Sequence, residues 1–344
     1  MPESHEMNLN FPFTAIVGQD EMKSALIMSA IDPTIGGVLI FGSRGTGKST
    51  AVRALAALLP PITAIKNCPV NSSEATQTPN WANLKVKRKT KIPTPVVDLP
   101  LGVTEDRVTG ALDIEKALTK GEKAFQPGLL AKANRGFLYI DEINLLEDHI
   151  VDLLLDVAQS GENLVEREGL SVRHAARFVL IGSGNPEEGE LRPQLLDRFG
   201  LAVDVGNPQD VAQRIEVIRR RDGFDQNPQA FSEEWQKQES NLRGAIVRAQ
   251  HLIHRLQVPD QTLEDIATLC AALGSDGLRG ELTLLRAARA YAALDNKASD
   301  VTRNHVMAVA PMALQHRLRR DPLDETSGRL RVHRVMEQVF ASSK

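Results

Sequence analysis

Cysteine is scarce in this chain of 344 residues: only Cys68 and Cys270 occur, far apart. Two such thiols build no disulfide framework and fit a reducing compartment. No apolar run approaches the roughly 20 residues of a membrane-spanning helix. Neither sign of charge dominates, since 41 Lys and Arg face 44 Asp and Glu for a net charge of −3. That excludes a protein built as a whole to coat DNA or an anionic membrane. The N-terminal stretch "MPESHEMNLNFPF" has no basic region followed by an apolar core, so it is no signal peptide. It is also too acidic and too poor in arginine for a transit peptide, and a cytoplasmic location is expected. There is no internal repeat and no His/Cys/Asp cluster at metal-ligand spacing. His251 and His254 lie three apart on an expected helix without a visible third partner, so they read as packing or surface residues.

What is present is an α/β pattern followed by a helical one. "GGVLIF" (36–41), "GFLYID" (136–141), "RFVLIGSG" (177–184) and "LAVDV" (201–205) are short apolar runs of the kind that form buried strands. "STAVRALAALLP" between the first two repeats its apolar residues at helical spacing until Pro60-Pro61, and "DHIVDLLLDVAQSG" is an amphipathic helix closed by Gly161. Strands alternating with helices imply a parallel sheet covered on both faces. Residues 1–14 are expected to be a flexible N-terminus, 15–205 an α/β domain, 206–230 a linker, and 231–344 a separate helical C-terminal domain. Two insertions interrupt the first domain. Residues 68–110 are rich in proline and carry the basic run Lys85, Lys87, Arg88, Lys89 and Lys91. Residues 163–176 belong to a stretch that alternates about Glu168-Gly169 as a β-hairpin does.

"GSRGTGKST" (42–50), between the first strand and the first helix after it, has the form of a phosphate-binding loop. Gly42, Gly45 and Gly47 permit the tight turn that aims backbone N–H groups at phosphates, with Thr46 and Thr50 in the same run. Lys48 supplies charge for the β and γ phosphates, Ser49 a hydroxyl for Mg²⁺, and the helix that begins there its positive end. The strand "FLYIDE" then ends in two carboxylates. Asp141 suits a hold on Mg²⁺ through its waters, and Glu142 the activation of an attacking water. Asn185 follows the next strand, where an amide can hold that water or sense the γ-phosphate; a turn residue before Pro186 is the other reading. Arg198, just before the last strand, is placed to reach the nucleotide of a neighbouring subunit as arginine fingers do, or to pair with Asp197 at the surface. Arg279 opens a helix of the second domain and can reach the γ-phosphate, with Arg286 and Arg289 as alternatives on the same helix.

Together the phosphate loop, "YIDE", the polar residue after the next strand, "LLDRF" and an arginine in a helical lid resemble the AAA+ ATPases. The resemblance implies a P-loop α/β nucleotide-binding domain followed by a smaller all-helical lid. "FTAIVGQDEMKSAL" (13–26) is similar to their N-terminal segment, which implies that Val17 and Gly18 lie near the adenine. Within AAA+, "VVDLPLGVTEDRVTGALDIEKAL", "FQPGLLAKANRGFLYIDEINLLEDHIVDLLLDVAQSGENLVEREGLSVRHAARFVLIGSGNPEEGELRPQLLDRFG" and "HRLRRDPLDE" resemble the ATPase subunits of magnesium chelatases. That likeness spans about residues 13–325. It implies ATP and Mg²⁺ as cofactors and a ring of copies of the chain, a hexamer by AAA+ expectation. It also implies a D subunit and a porphyrin-binding H subunit as partners. The implied work is ATP-driven insertion of Mg²⁺ into protoporphyrin IX for chlorophyll or bacteriochlorophyll synthesis. Aromatic residues make up 4% of the chain, which suits a motor separate from the porphyrin-binding module. No D-x-S-x-S metal site and no acidic-proline linker of a D subunit is present. A cobalt-chelatase ATPase and a MoxR-type chaperone are the near alternatives. A nucleic-acid remodeller rests on the basic run alone, which also reads as a solvated loop.

Overall fold

The computed structural model of the chain describes residues 9–341 other than 86–87, 122, 168, 186–188, 190, 276, 297 and 319–326. Its centre is a parallel sheet of β1 (Val38–Gly42), β2 (Val96–Leu99), β3 (Phe137–Ile140), β4 (Val179–Gly184) and β5 (Leu201–Val205), in the order β5-β1-β4-β3-β2. Val38 sits opposite Ile181 on one side and Leu201 on the other. Strand alternation divides the apolar side chains between two faces. Val38, Ile40, Phe137, Tyr139, Val179, Ile181, Leu201 and Val203 join one cluster, while Leu39, Leu138, Ile140, Leu180 and Ala202 join another. The first face carries α1 (Asp20–Ile31) and α2 (Lys48–Leu58); the second carries α3 (Asp148–Ser160) through Ile150, Val151, Leu154 and Leu155. A sheet buried on both faces explains why its strands read as unbroken apolar runs.

The C-terminal part is helical: α4 (Val211–Gln226), α5 (Pro228–Leu252), α6 (Asp260–Leu273), α7 (Arg279–Leu294), α8 (Arg303–Leu314) and α9 (Gly328–Ala341). Its apolar residues do not form a core of their own. Leu269, Leu284, Val306, Val309 and Val332 belong to the same cluster as β1 and α1.

Three expectations need correction. The stretch 206–230, expected as a linker, contains α4 and the start of α5. Asp210 caps α4 by accepting from the Ala212 N–H, and Asn227 caps α5 ahead of Pro228. Glu216 pairs with Arg219 and Arg220, and Arg221 with Asp225, along the helix surface. Only Phe224 of α4 is buried, so no apolar period announces it. The 68–110 stretch, expected as an insertion projecting from the core, supplies part of the sheet, because its residues 96–99 are β2, the edge strand. Prolines 93 and 95 break the apolar pattern just before it, as an edge position tolerates. Residues 9–14 of the expected flexible N-terminus are packed: Phe13 is buried, the Phe11 ring lies 5.3 Å from that of Phe224, and Thr14 Oγ1 donates to Glu239 at 2.8 Å. Residues 1–8 lie outside the described residues.

The expected hairpin forms from Glu162–Arg167 and Leu170–Ala175, with Val165 opposite Val172. Gly169 takes φ +74° at its turn, and Glu168 lies outside the described residues. Of the basic run, Lys89 and Lys91 lie on the strand Lys89–Ile92, paired antiparallel with Ile62–Ile65; Lys87 lies outside the described residues. Among the described residues no helix is long and apolar enough to cross a membrane.

Candidate active site

The C-terminal ends of β1, β3 and β4 open into one cavity of about 530 Å³. It is lined by the phosphate loop from Arg44 to Thr50, by Tyr139, Asp141 and Glu142 after β3, and by Ser183, Gly184 and Asn185 after β4. Parallel sheets place their ligands at this edge.

The loop turns through Gly45 at φ +79° and Gly47 at φ +81°. A side chain would meet nothing within 4 Å at either position, so the torsion itself calls for glycine. Gly42 has another role than the turn expected of it. A Cβ there would lie 2.2 Å from the Val205 carbonyl oxygen, so its bareness lets β1 approach β5. Lys48 opens α2; its buried Nζ donates to the carbonyls of Gly42 at 2.6 Å and Ser43 at 3.1 Å. Thr46 Oγ1 donates to the Ser43 carbonyl at 3.0 Å, tightening the turn.

Asp141 is held by two hydroxyls. Ser183 Oγ donates to its Oδ1 at 2.6 Å, and the Tyr139 hydroxyl lies 3.0 Å from the same oxygen. Burial is the main cause that pushes the Tyr139 phenol well above its ordinary range, so it stays a protonated donor. Glu142 takes φ +54°, a left-handed conformation rare for a residue with a side chain. Its N–H donates to Ser183 Oγ at 3.3 Å, and its carboxylate pairs with Arg44 at 2.8 Å. Asn185 is buried on the same wall. Pro186, on which the turn reading of Asn185 depended, lies outside the described residues.

The structure thus brings together Gly45, Thr46, Gly47, Lys48, Ser49, Thr50, Asp141, Glu142 and Asn185. Val17 and Gly18 do not line the cavity; they precede α1, where Gln19 Nε2 donates to the Gly206 carbonyl at 3.1 Å. Arg198 also lies off the cavity and pairs with Asp156 at 2.8 Å and Asp152 at 3.1 Å on α3. Asp197, the partner that the surface reading gave it, is taken by Arg279 at 2.8 Å and by Arg317. Arg286 donates to the Thr34 carbonyl at 2.6 Å. Four lining residues escaped the sequence reading: Arg44, Tyr139, Ser183 and Gly184. Tyr139 was within reach of it, because residues two apart on a strand share a face and Tyr139 and Asp141 are so placed.

The oxygen donors Ser49 and Asp141 suit Mg²⁺, a hard cation that keeps several waters and uses few protein ligands. Among the described residues no group of three His, Cys, Asp or Glu could hold a metal by itself.

Comparison with known proteins gives the family. The family model for magnesium chelatase, subunit ChlI, matches residues 12–192, and that for the AAA lid domain matches residues 263–337. The magnesium-chelatase 38 kDa subunit of Cereibacter sphaeroides is 66% identical, covering 97% of this chain and all of that one. The subunit of the same name from Rhodobacter capsulatus is 66% identical over 96% of this chain and 94% of its own. Among solved structures, a chain of the cryo-EM complex between subunits BchI and BchD of magnesium chelatase is 63% identical, covers 94% of this chain and 99% of its own, and superposes with a TM-score of 0.57. Parallel sheet, phosphate loop, helical lid and these relatives lead to one conclusion: the chain belongs to the magnesium chelatase subunit I family of AAA+ ATPases.

Proposed function

We propose that this chain is the ATP-hydrolysing motor of a magnesium chelatase, driving insertion of Mg²⁺ into protoporphyrin IX on the route to (bacterio)chlorophyll. One observation carries the nucleotide chemistry: Lys48, Asp141, Glu142 and Asn185, from three strand ends, face one cavity beside the phosphate loop. In this reading Lys48 exchanges the Gly42 and Ser43 carbonyls for phosphate oxygens. Ser49 and Asp141 hold the magnesium ion, with Asp141 oriented by Ser183 and Tyr139. Bound there, Mg²⁺ neutralises charge on the phosphates. Glu142 takes the proton of the attacking water, and Asn185 holds that water in line. Arg198 lies outside its own cavity, which supports action on the nucleotide of a neighbouring subunit in a ring, with a hexamer as the expected form. Arg279 is read as the lid residue that reaches its own γ-phosphate, and Val17-Gly18 as the adenine side.

The relatives' names favour the magnesium chelatase over a cobalt chelatase or a MoxR-type chaperone. The cryo-EM relative supports a D-type subunit as a partner. A porphyrin-binding H subunit completes the assembly, in the cytoplasm. The test is ATP-dependent formation of Mg-protoporphyrin when the chain is mixed with D and H subunits.

A further inference from the structure

Arg198 stands between two residues that the C-terminal helices hold. On one side, the Asp197 carboxylate receives Arg279 Nη1 at 2.8 Å, from the start of α7, and Arg317 Nη1 at 2.5 Å, from just beyond α8. The Asp197 carbonyl accepts from the same Arg317 nitrogen at 2.6 Å. On the other side, the Phe199 carbonyl accepts from Arg317 Nη2 at 2.6 Å and lies 3.1 Å from His316 Nε2. The remaining Arg317 contacts go to the Ala313 carbonyl at 3.0 Å and Thr283 Oγ1 at 3.4 Å, and its side chain is 3% exposed. A charge is buried in this way only when it is well paired and hydrogen-bonded. Here three of the five hydrogen bonds of the guanidinium go to Asp197 and Phe199. The Arg198 side chain meanwhile rests on Asp152 and Asp156 of α3, half-buried. The backbone on both sides of Arg198 therefore answers to the C-terminal helices, and Asp197 is the anion shared by both arginines that reach it.

We infer that Asp197 is a positioning residue for Arg198: it ties the turn that carries Arg198 to Arg279 and Arg317, and so sets where the Arg198 guanidinium is presented to a neighbouring subunit. The inference rests on the reading of Arg198 as acting in trans. It has a consequence for coupling round the ring. Asp197 and the γ-phosphate of the subunit's own nucleotide compete for the one guanidinium of Arg279. Capture of Arg279 by the phosphate leaves the Asp197 carboxylate to Arg317, so what a subunit has bound bears on the arginine it offers next door.

Mixed full-length subunits test this. Asp197→Asn keeps the shape of the side chain and removes the charge. Alone, it should bind a fluorescent ATP analogue as the unaltered chain does and hydrolyse ATP about 10²-fold more slowly, the order of loss that an ångström's misplacement brings. Mixed with Glu142→Gln subunits, whose own sites are inactive but whose Arg198 is intact, it should recover hydrolysis to the extent that Arg198→Ala subunits do. A merely structural defect, or one in the subunit's own cavity, would not be repaired by a neighbour. Recovery by Arg198→Ala without recovery by Asp197→Asn overturns the inference. Recovery by neither overturns the trans reading, and the inference falls with it. Should Asp197→Asn fail to bind nucleotide, Asp197→Glu, which keeps the charge on a side chain one methylene longer, is mixed in its place, and the same two outcomes decide.

Discussion

Ser183 Oγ donates to Asp141 Oδ1 at 2.6 Å, so a hydroxyl on β4 fixes the carboxylate that ends β3. The two strands are neighbours in the sheet, and the bond spans 42 residues of sequence. A donor of this kind sets the direction of a carboxylate, here the one proposed to hold Mg²⁺. Ser183→Ala is expected to raise the Mg²⁺ concentration needed for half-maximal ATP hydrolysis by roughly tenfold or more. A Mg²⁺ titration at saturating ATP reads this directly; an unmoved midpoint removes Ser183 from the metal's support.

Lys48 is expected to carry nucleotide affinity. Charge-assisted hydrogen bonds are worth about 1.5–3 kcal/mol each, so Lys48→Ala should weaken ATP binding by roughly 10²-fold. Equilibrium titration with a fluorescent analogue measures it. Binding within a fewfold of the unaltered chain contradicts the role.

Glu142 is expected to separate binding from chemistry. Glu142→Gln should keep its affinity for ATP and lose roughly 10²–10⁴-fold in hydrolysis, the usual worth of a general base. Single-turnover kinetics with bound ATP give the answer, and rapid turnover assigns the base elsewhere.

His316 gives the fold a pH dependence. Burial, helped by the charge of Arg317, holds its imidazole at about 3, below the ordinary 6.5. The unfolded chain therefore takes up a proton that the folded chain refuses. The neutral imidazole's contribution is complete above about pH 6.5 and is lost as pH falls toward 3. Between pH 6.5 and about pH 5 the stability advantage of the unaltered chain over His316→Gln should shrink by about 2 kcal/mol. Urea unfolding at the two pH values tests it; a constant difference contradicts a neutral buried His316.

How much of this was legible in the sequence depended on whether the information was local. The phosphate loop is contiguous, and its glycines, lysine and serine keep a fixed spacing, so Gly45 to Thr50 could be assigned to one site from the chain alone. The runs "VLIF" and "FVLIG" announced strands because both faces of the sheet are covered. Helix α4 was not legible, because a helix held by caps and by Arg–Glu pairs leaves no apolar stripe to read. Strand β2 was hidden by prolines 93 and 95, which an edge strand tolerates. Ser183 was read only as part of the strand "RFVLIGSG", and only the neighbouring strand gives it Asp141 as a partner. The partners of Arg198 lay beyond reach for the same reason: Asp152 and Asp156 are on a distant helix, while the adjacent Asp197 faces the C-terminal helices instead.

The central claim is that hydrolysis in the Lys48–Glu142 cavity powers metal insertion. It is tested most directly by mixing the chain with active D and H subunits, protoporphyrin IX, Mg²⁺ and ATP, and following Mg-protoporphyrin fluorescence. The account predicts product that requires ATP and disappears with Lys48→Ala. Robust ATP hydrolysis without product, from partners that do form it with their own ATPase subunit, would contradict it.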